Sequence, residues 1–196
     1  MKRRKPIRGF GINDAPQHEN PASNPMCPFY SRWKGMIERC HGLGGGRPEN
    51  YKGATISDEW RSFMAFKAWM SERPWQGNHL DKDILRPWEK RYCPETCVFI
   101  PIWLNTLLNE MARAIGKLPL GVTKTPNGRY SAKIRGENSK RIGLGLFDTP
   151  DEAHRAWAHA KSAVITGAVA RYRLTDRFDE RVCAALLNRA DQLAAT

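Results

Sequence analysis

The 196-residue sequence has no run of the about 18–20 uninterrupted apolar residues that a bilayer-spanning helix needs, so no membrane segment is expected. Its basic start, Lys2-Arg3-Arg4-Lys5, is followed by Pro6 and not by an apolar stretch, which argues against a secretory leader. Cysteine is sparse, and Cys27, Cys40, Cys93, Cys97 and Cys183 make an odd set. Without an export signal these are expected as reduced thiols in a cytoplasm, not as a disulfide framework. Acidic residues are also few: 20 Asp and Glu stand against 32 Lys and Arg, a formal charge of +12. No internal repeat is visible.

What is present fits a folded protein with a polyanionic partner. Forty-one per cent hydrophobic residues suffice for a core, and the length fits one or two domains of about 100–150 residues. The excess of cations makes nucleic acid the expected partner, the alternative being a merely basic soluble protein.

The pattern along the chain predicts an α+β fold in four parts. Residues 1–28, with Pro16, Pro21, Pro25 and Pro28 and no sustained period, read as a flexible basic arm; Arg3 and Arg4 are candidate phosphate contacts. From residue 29 to 116 a helical domain is expected. Phe29, Tyr30, Trp33, Met36, Ile37 and Cys40 mark one helix, a second follows Ser57 as N-cap, and a third follows Pro101. Residues 79–85 and 97–100 read as two short strands between the last two helices. Six of the seven tryptophans fall within 33–103, where burial in the core is the favoured reading over stacking on bases.

Residues 117–170 change character. Segments 121–122, 129–135 and 141–147 predict a three-stranded antiparallel sheet, with the Asn127-Gly128 hairpin signal between the first two. Strict alternation places Tyr130, Ala132, Ile134, Ile142, Leu144 and Leu146 on an apolar face. Arg129, Lys133, Arg135 and Arg141 fall on the other, with Lys124 and Lys140 nearby. Thr149-Pro150-Asp151-Glu152 is a capping box that opens a helix able to cover the apolar face. A final helix is expected within 171–196. A basic sheet face suits phosphates, and the Arg fork suits guanine edges in a major groove. A solvated face that merely discourages aggregation is the alternative.

Gly121-Val122, Arg129-Tyr130-Ser131-Ala132-Lys133-Ile134, Leu144-Gly145-Leu146-Phe147-Asp148-Thr149 and the helix from Glu152-Ala153 resemble the ethylene-response-factor (APETALA-two) DNA-binding domain over about residues 118–167. The resemblance implies a sheet set into the major groove of double-stranded DNA, with Arg129, Lys133, Arg135 and Arg141 in contact. The sheet tryptophans of the plant members are absent, so their sequence preference does not carry over.

In the N-terminal half, His79, Asp81 and Asp83 at i, i+2 and i+4 would share one face of a strand. Together with Asn105 they are candidate ligands for a divalent cation, Mg²⁺ above all, that activates water for phosphodiester attack. The wet face of a half-buried strand is the alternative. Cys40-His41 with Cys93 and Cys97 is a weaker arrangement, since adjacent Cys and His seldom ligate together; buried thiols are expected there in preference to structural zinc.

Trp33 to Cys40, Tyr51-Lys52-Gly53, Ile56 to Trp60, Leu80 to Ile84 and Tyr92 to Phe99 are similar to phage-encoded HNH homing-endonuclease-like proteins over about residues 29–108. The resemblance implies a metal-dependent DNA endonuclease of phage or prophage origin, placed in the cytoplasm of a bacterial host. Asp81 matches the metal-binding Asp, but Lys82 stands at the general base's His, Thr96 at the middle Asn and Asn105 at the last His or Asn. A Lys near its ordinary pKa of about 10.4 is a poor base at neutral pH, which leaves His79 as the substitute. The alternatives are an inactive DNA-binding regulator or accessory factor, or a phage protein that antagonises a host factor.

Overall fold

The computed structural model describes residues 5–20, 27–42, 51–109, 118–135 and 141–196. It divides into two units, Met1–Ile100 and Pro101–Thr196. Both mix helix and strand, as the α+β reading expects.

The first unit is built around aromatic rings. Helix α1 (Pro28–His41) starts with Pro, whose missing N–H is harmless there, and buries Trp33, Met36, Ile37 and Cys40 on the stripe its spacing predicts. Gly42, at φ +85°, ends it and donates its N–H to the Glu38 carbonyl. Strand β1 (Thr55–Ile56) precedes a short 3₁₀ turn, Glu59–Arg61, and helix α2 (Phe63–Ser71) follows. The expected N-cap at Ser57 is wrong by five residues. Ser57 is buried and its amide donates to Tyr92, continuing the parallel pairing of β1 with β3 (Arg91–Tyr92). Ser62 is the cap, its hydroxyl accepting from the Ala65 amide at 3.0 Å.

In this unit Trp33 packs on Phe63, and Trp60, Phe66 and Trp69 pack on one another, Trp69 also meeting Phe99 of strand β4 (Val98–Pro101), which pairs with β2 (Asn78–Asp81). Such rings each bury about 150–250 Å² and supply most of the core's stabilisation. Trp88 departs from the core reading: it is 79% exposed. The stretch expected as a flexible arm is bonded to this unit where it is described. Ile12 donates to Arg61 and accepts from Phe63, Asp14 accepts from Ser62 and the Met64 amide, and Glu19 pairs with Lys67 at 2.9 Å.

The second unit opens with helix α3 (Ile102–Asn109) and continues with β5 (Val122–Lys124), β6 (Tyr130–Arg135) and β7 (Arg141–Phe147), antiparallel in that order. Helix α4 (Pro150–Arg173) begins in the full capping box, Thr149 and Glu152 each bonding the other's backbone amide. It lays Ala153, Trp157 and Ala158 on Val122, Ala132 and Ile134 of the sheet. Gly121 is held at φ +79°, where a Cβ would stand 2.0 Å from the Trp157 ring, so only glycine lets the strand enter this close. Helix α5 (Glu180–Ala194) is capped by Asp179 and buries Val182, Cys183, Leu186 and Ala190. Lys161 of α4 is also buried, and its ammonium donates to the Leu107 carbonyl of α3 at 3.0 Å.

Strict alternation along β7 does not hold. Gly145, at φ +134°, sits at a bulge: Ala132 pairs with Gly145 and Lys133 with Gly143, leaving Leu144 as the extra residue. Beyond the bulge the faces exchange. Phe147 packs with the core in the place expected for Leu146, while Leu146 pairs with Ser131 and stands 52% exposed.

Candidate functional site

Two groups of residues are candidates for a functional site, and the chain builds them differently. The first is the outer face of the sheet. Because directly paired residues share a face, the register places Thr123, Ser131 and Leu146 in one row across the three strands, Lys133 beside Gly143 in the next, and Arg135 beside Arg141 in the last. Lys133 and Arg141 are exposed, and a Cβ at Gly143 would meet open space, so the glycine itself puts no side chain between them.

Arg129, immediately before β6, is held rather than loose. Its Nε lies 2.9 Å from an Asp148 oxygen and its Nη2 donates to the Leu146 carbonyl at 3.0 Å, which fixes the guanidinium at one end of the face. Lys124 falls elsewhere. It pairs with Tyr130, in the row of the covered face, and its ammonium lies 6.0 Å from that ring. Arg3, Arg4 and Lys140 lie outside the described residues. The sequence pattern missed Leu146 and Asp148. The two glycines inside β7 are the signal that marks a bulge and displaces Leu146.

The second group surrounds Asp81, and here the expected strand face is corrected. Strand β2 ends at Asp81, and the chain turns. The turn is closed by Asp81 itself, whose Oδ1 accepts from the Asp83 amide at 2.8 Å and the Ile84 amide at 2.9 Å. Burial raises the Asp81 carboxyl above its ordinary pKa, although those two backbone donors work against it. Lys82 points inward, its side chain buried and its ammonium 5.6 Å from the Tyr92 ring and paired with Asp83. His79 is exposed, and Asn105 belongs to α3 of the second unit.

A metal held jointly by Asp81 and Asp83 does not fit this arrangement. One oxygen of Asp81 already serves two amides, and a lysine ammonium occupies the carboxylate of Asp83, where a second cation would be repelled. Among the described residues no three His, Cys, Asp or Glu side chains are grouped so as to hold an ion. Thr96, at the middle position of the HNH-like pattern, is fully buried, and its hydroxyl donates to the Arg91 carbonyl at 2.6 Å. Cys40, Cys93 and Cys97 are buried, and burial raises the Cys97 thiol's pKa.

No family model matches the chain, and no solved structure matches it significantly. Among the described residues no helix is long and apolar enough to cross a membrane.

Proposed function

We propose that the protein binds double-stranded DNA through the outer face of β5–β7. The observation that carries this reading is the register of that face: Lys133, Arg135 and Arg141 adjoin one another around Gly143, on a sheet whose opposite side packs against α4. A rigid sheet presenting cations to solvent meets the phosphates on entering a major groove about 12 Å wide. Leu146, half exposed in the same face, suits apolar contact with a thymine methyl, and Arg129 is oriented by Asp148 for a base edge or a phosphate.

The proposed activity is binding without phosphodiester cleavage at Asp81, that of a regulator or accessory factor. The support is the turn at Asp81–Ile84, whose charges are engaged by the fold. Phage or prophage origin belongs to the same reading and rests on the HNH-like resemblance.

The test is the Lys133→Ala, Arg141→Ala double variant in duplex binding across a salt series. Losing two phosphate contacts should weaken binding and reduce the slope of log K against log salt by about 2. Unchanged affinity and slope would overturn the sheet assignment. Incubation with supercoiled DNA and Mg²⁺ tests the second part: nicking by the wild type that Asp81→Asn abolishes would show a working metal site.

A further inference from the structure

Trp88 is the largest side chain the described structure leaves to solvent, at 79% exposure, and it is not on a loose segment. It occupies the third position of a tight turn, Arg86 to Glu89, closed by the Glu89 amide donating to the Arg86 carbonyl at 3.0 Å. Pro87 before it presets the turn's backbone, and the Arg86 guanidinium bonds the Glu89 carboxylate across it at 3.1 Å. The chain leaving the turn is fastened at once, the Lys90 carbonyl accepting from the Thr55 amide and Arg91 pairing with Thr55 in β3. The indole is therefore presented by a braced turn, and Arg86, Lys90 and Arg91 around it are all exposed cations. Lys90 reaches the Lys52 carbonyl at 3.5 Å, which brings the exposed Lys52 to the same side.

We infer that this turn is a second nucleic-acid contact, in which Trp88 stacks on an unstacked base of a DNA single strand while Lys90 and Arg91 take the flanking phosphates and Arg86, held by Glu89, keeps the turn in shape. An exposed ring costs little rotamer entropy to immobilise and offers a π-face to any base, and adjoining cations hold the backbone. Arg86 and Glu89 neutralise each other, and Lys90 and Arg91 leave the turn cationic, which favours a polyanionic partner over an apolar protein surface. The inference does not depend on the sheet, which recognises duplex.

The experiment compares a blunt duplex with the same duplex carrying a single-stranded tail of about ten thymidines, using the full chain. Wild type should bind the tailed duplex more tightly. Trp88→Ala should lose that gain, roughly 5- to 150-fold, the range of one base–aromatic stack, while Trp88→Phe keeps most of it. Trp88→Ala should leave blunt-duplex affinity and its salt slope unchanged, whereas Lys133→Ala with Arg141→Ala lowers both affinities equally, so failure of either site is distinguishable. Equal wild-type affinity for the two DNAs overturns the inference, as does a tail gain that survives Trp88→Ala. Loss of blunt-duplex affinity by the same factor overturns it in favour of a wedge between paired bases. Vesicles containing phosphatidylserine form the last arm: binding that Trp88→Ala abolishes, with no tail gain, assigns the turn to a membrane surface instead.

Discussion

Lys82, just past the end of β2, and Lys133, inside β6, carry the same charge, yet the fold treats them oppositely. Lys82 is buried against Tyr92 with its ammonium on Asp83; Lys133 is exposed beside a glycine. Around Asp81 the charges complete the fold, answering backbone amides and one another. Across the outer face of β5–β7 the register sets Lys133 beside Gly143 and Arg135 beside Arg141, with Lys133 and Arg141 exposed to solvent and Arg129 held by Asp148 at the end of the face. A charged side chain already engaged must break a contact before it can take a ligand, which makes Lys82 a poor candidate and leaves exposed Lys133 a better one.

The largest expected effect breaks the comparison if it fails. Lys82→Ala removes a buried stem, the cation over Tyr92 and the pairing with Asp83, and should destabilise the first unit by about 1–3 kcal/mol. Asp83 is 57% exposed, so its orphaned carboxylate stays hydrated and adds little to the loss. Lys133→Ala should change stability by no more than about 0.5 kcal/mol, as exposed substitutions do. Denaturant midpoints at one pH measure both. Equal effects would mean that the inward and outward lysines are not distinguished as described.

The next test sharpens the role of Asp81. Asp81→Ala takes an acceptor from the Asp83 and Ile84 amides and should destabilise by about 1–2 kcal/mol, in the range of a lost cap. Asp81→Asn keeps a carbonyl oxygen for the same two amides and should lose little. An Asn variant as unstable as the Ala variant would show that the charge, not the acceptor, is what the turn needs.

These positions also show how far the residues alone could be read. The stripe of α1, the sheet order, and the capping box with the helix it starts were legible, because each follows a period or a cap that neighbouring residues enforce. The outer-face assignments of Lys133, Arg135 and Arg141 were legible for the same reason. Leu146 was not: a single bulge at Gly145 reverses every face after it, and period-2 reasoning carries the error forward. The Asp81 group was misread as a strand face because Asp closes turns as readily as it lines strands, and the choice depends on where pairing with β4 stops. Trp88 was misread as core because composition counts rings without saying which sit on a turn. The inward path of Lys82 had no local signal, since it is set by Tyr92 ten residues on.

The smallest effect asks whether the division between engaged and outward charges also runs through the second unit. Asp179 caps α5 there, accepting from the Arg181 amide at 2.9 Å and pairing with the Arg181 guanidinium at 2.7 Å. The Arg181 side chain holds its carboxyl below the ordinary range, with the backbone donors adding to this against a smaller opposing effect of burial. A carboxylate whose folded pKa is depressed stabilises the fold above its unfolded value, near about 3.9, and loses that contribution as pH falls through the folded value. Asp179→Asn preserves a capping oxygen and removes the charge. At neutral pH the wild type should therefore melt slightly higher than the variant, by less than about 1 kcal/mol in stability. The gap should close below about pH 4 as the wild-type carboxyl takes up its proton. A gap that stays constant from pH 7 to pH 2.5 in paired thermal melts would place Asp179 among the outward charges, its bond to Arg181 adding nothing that the amide contact does not already supply.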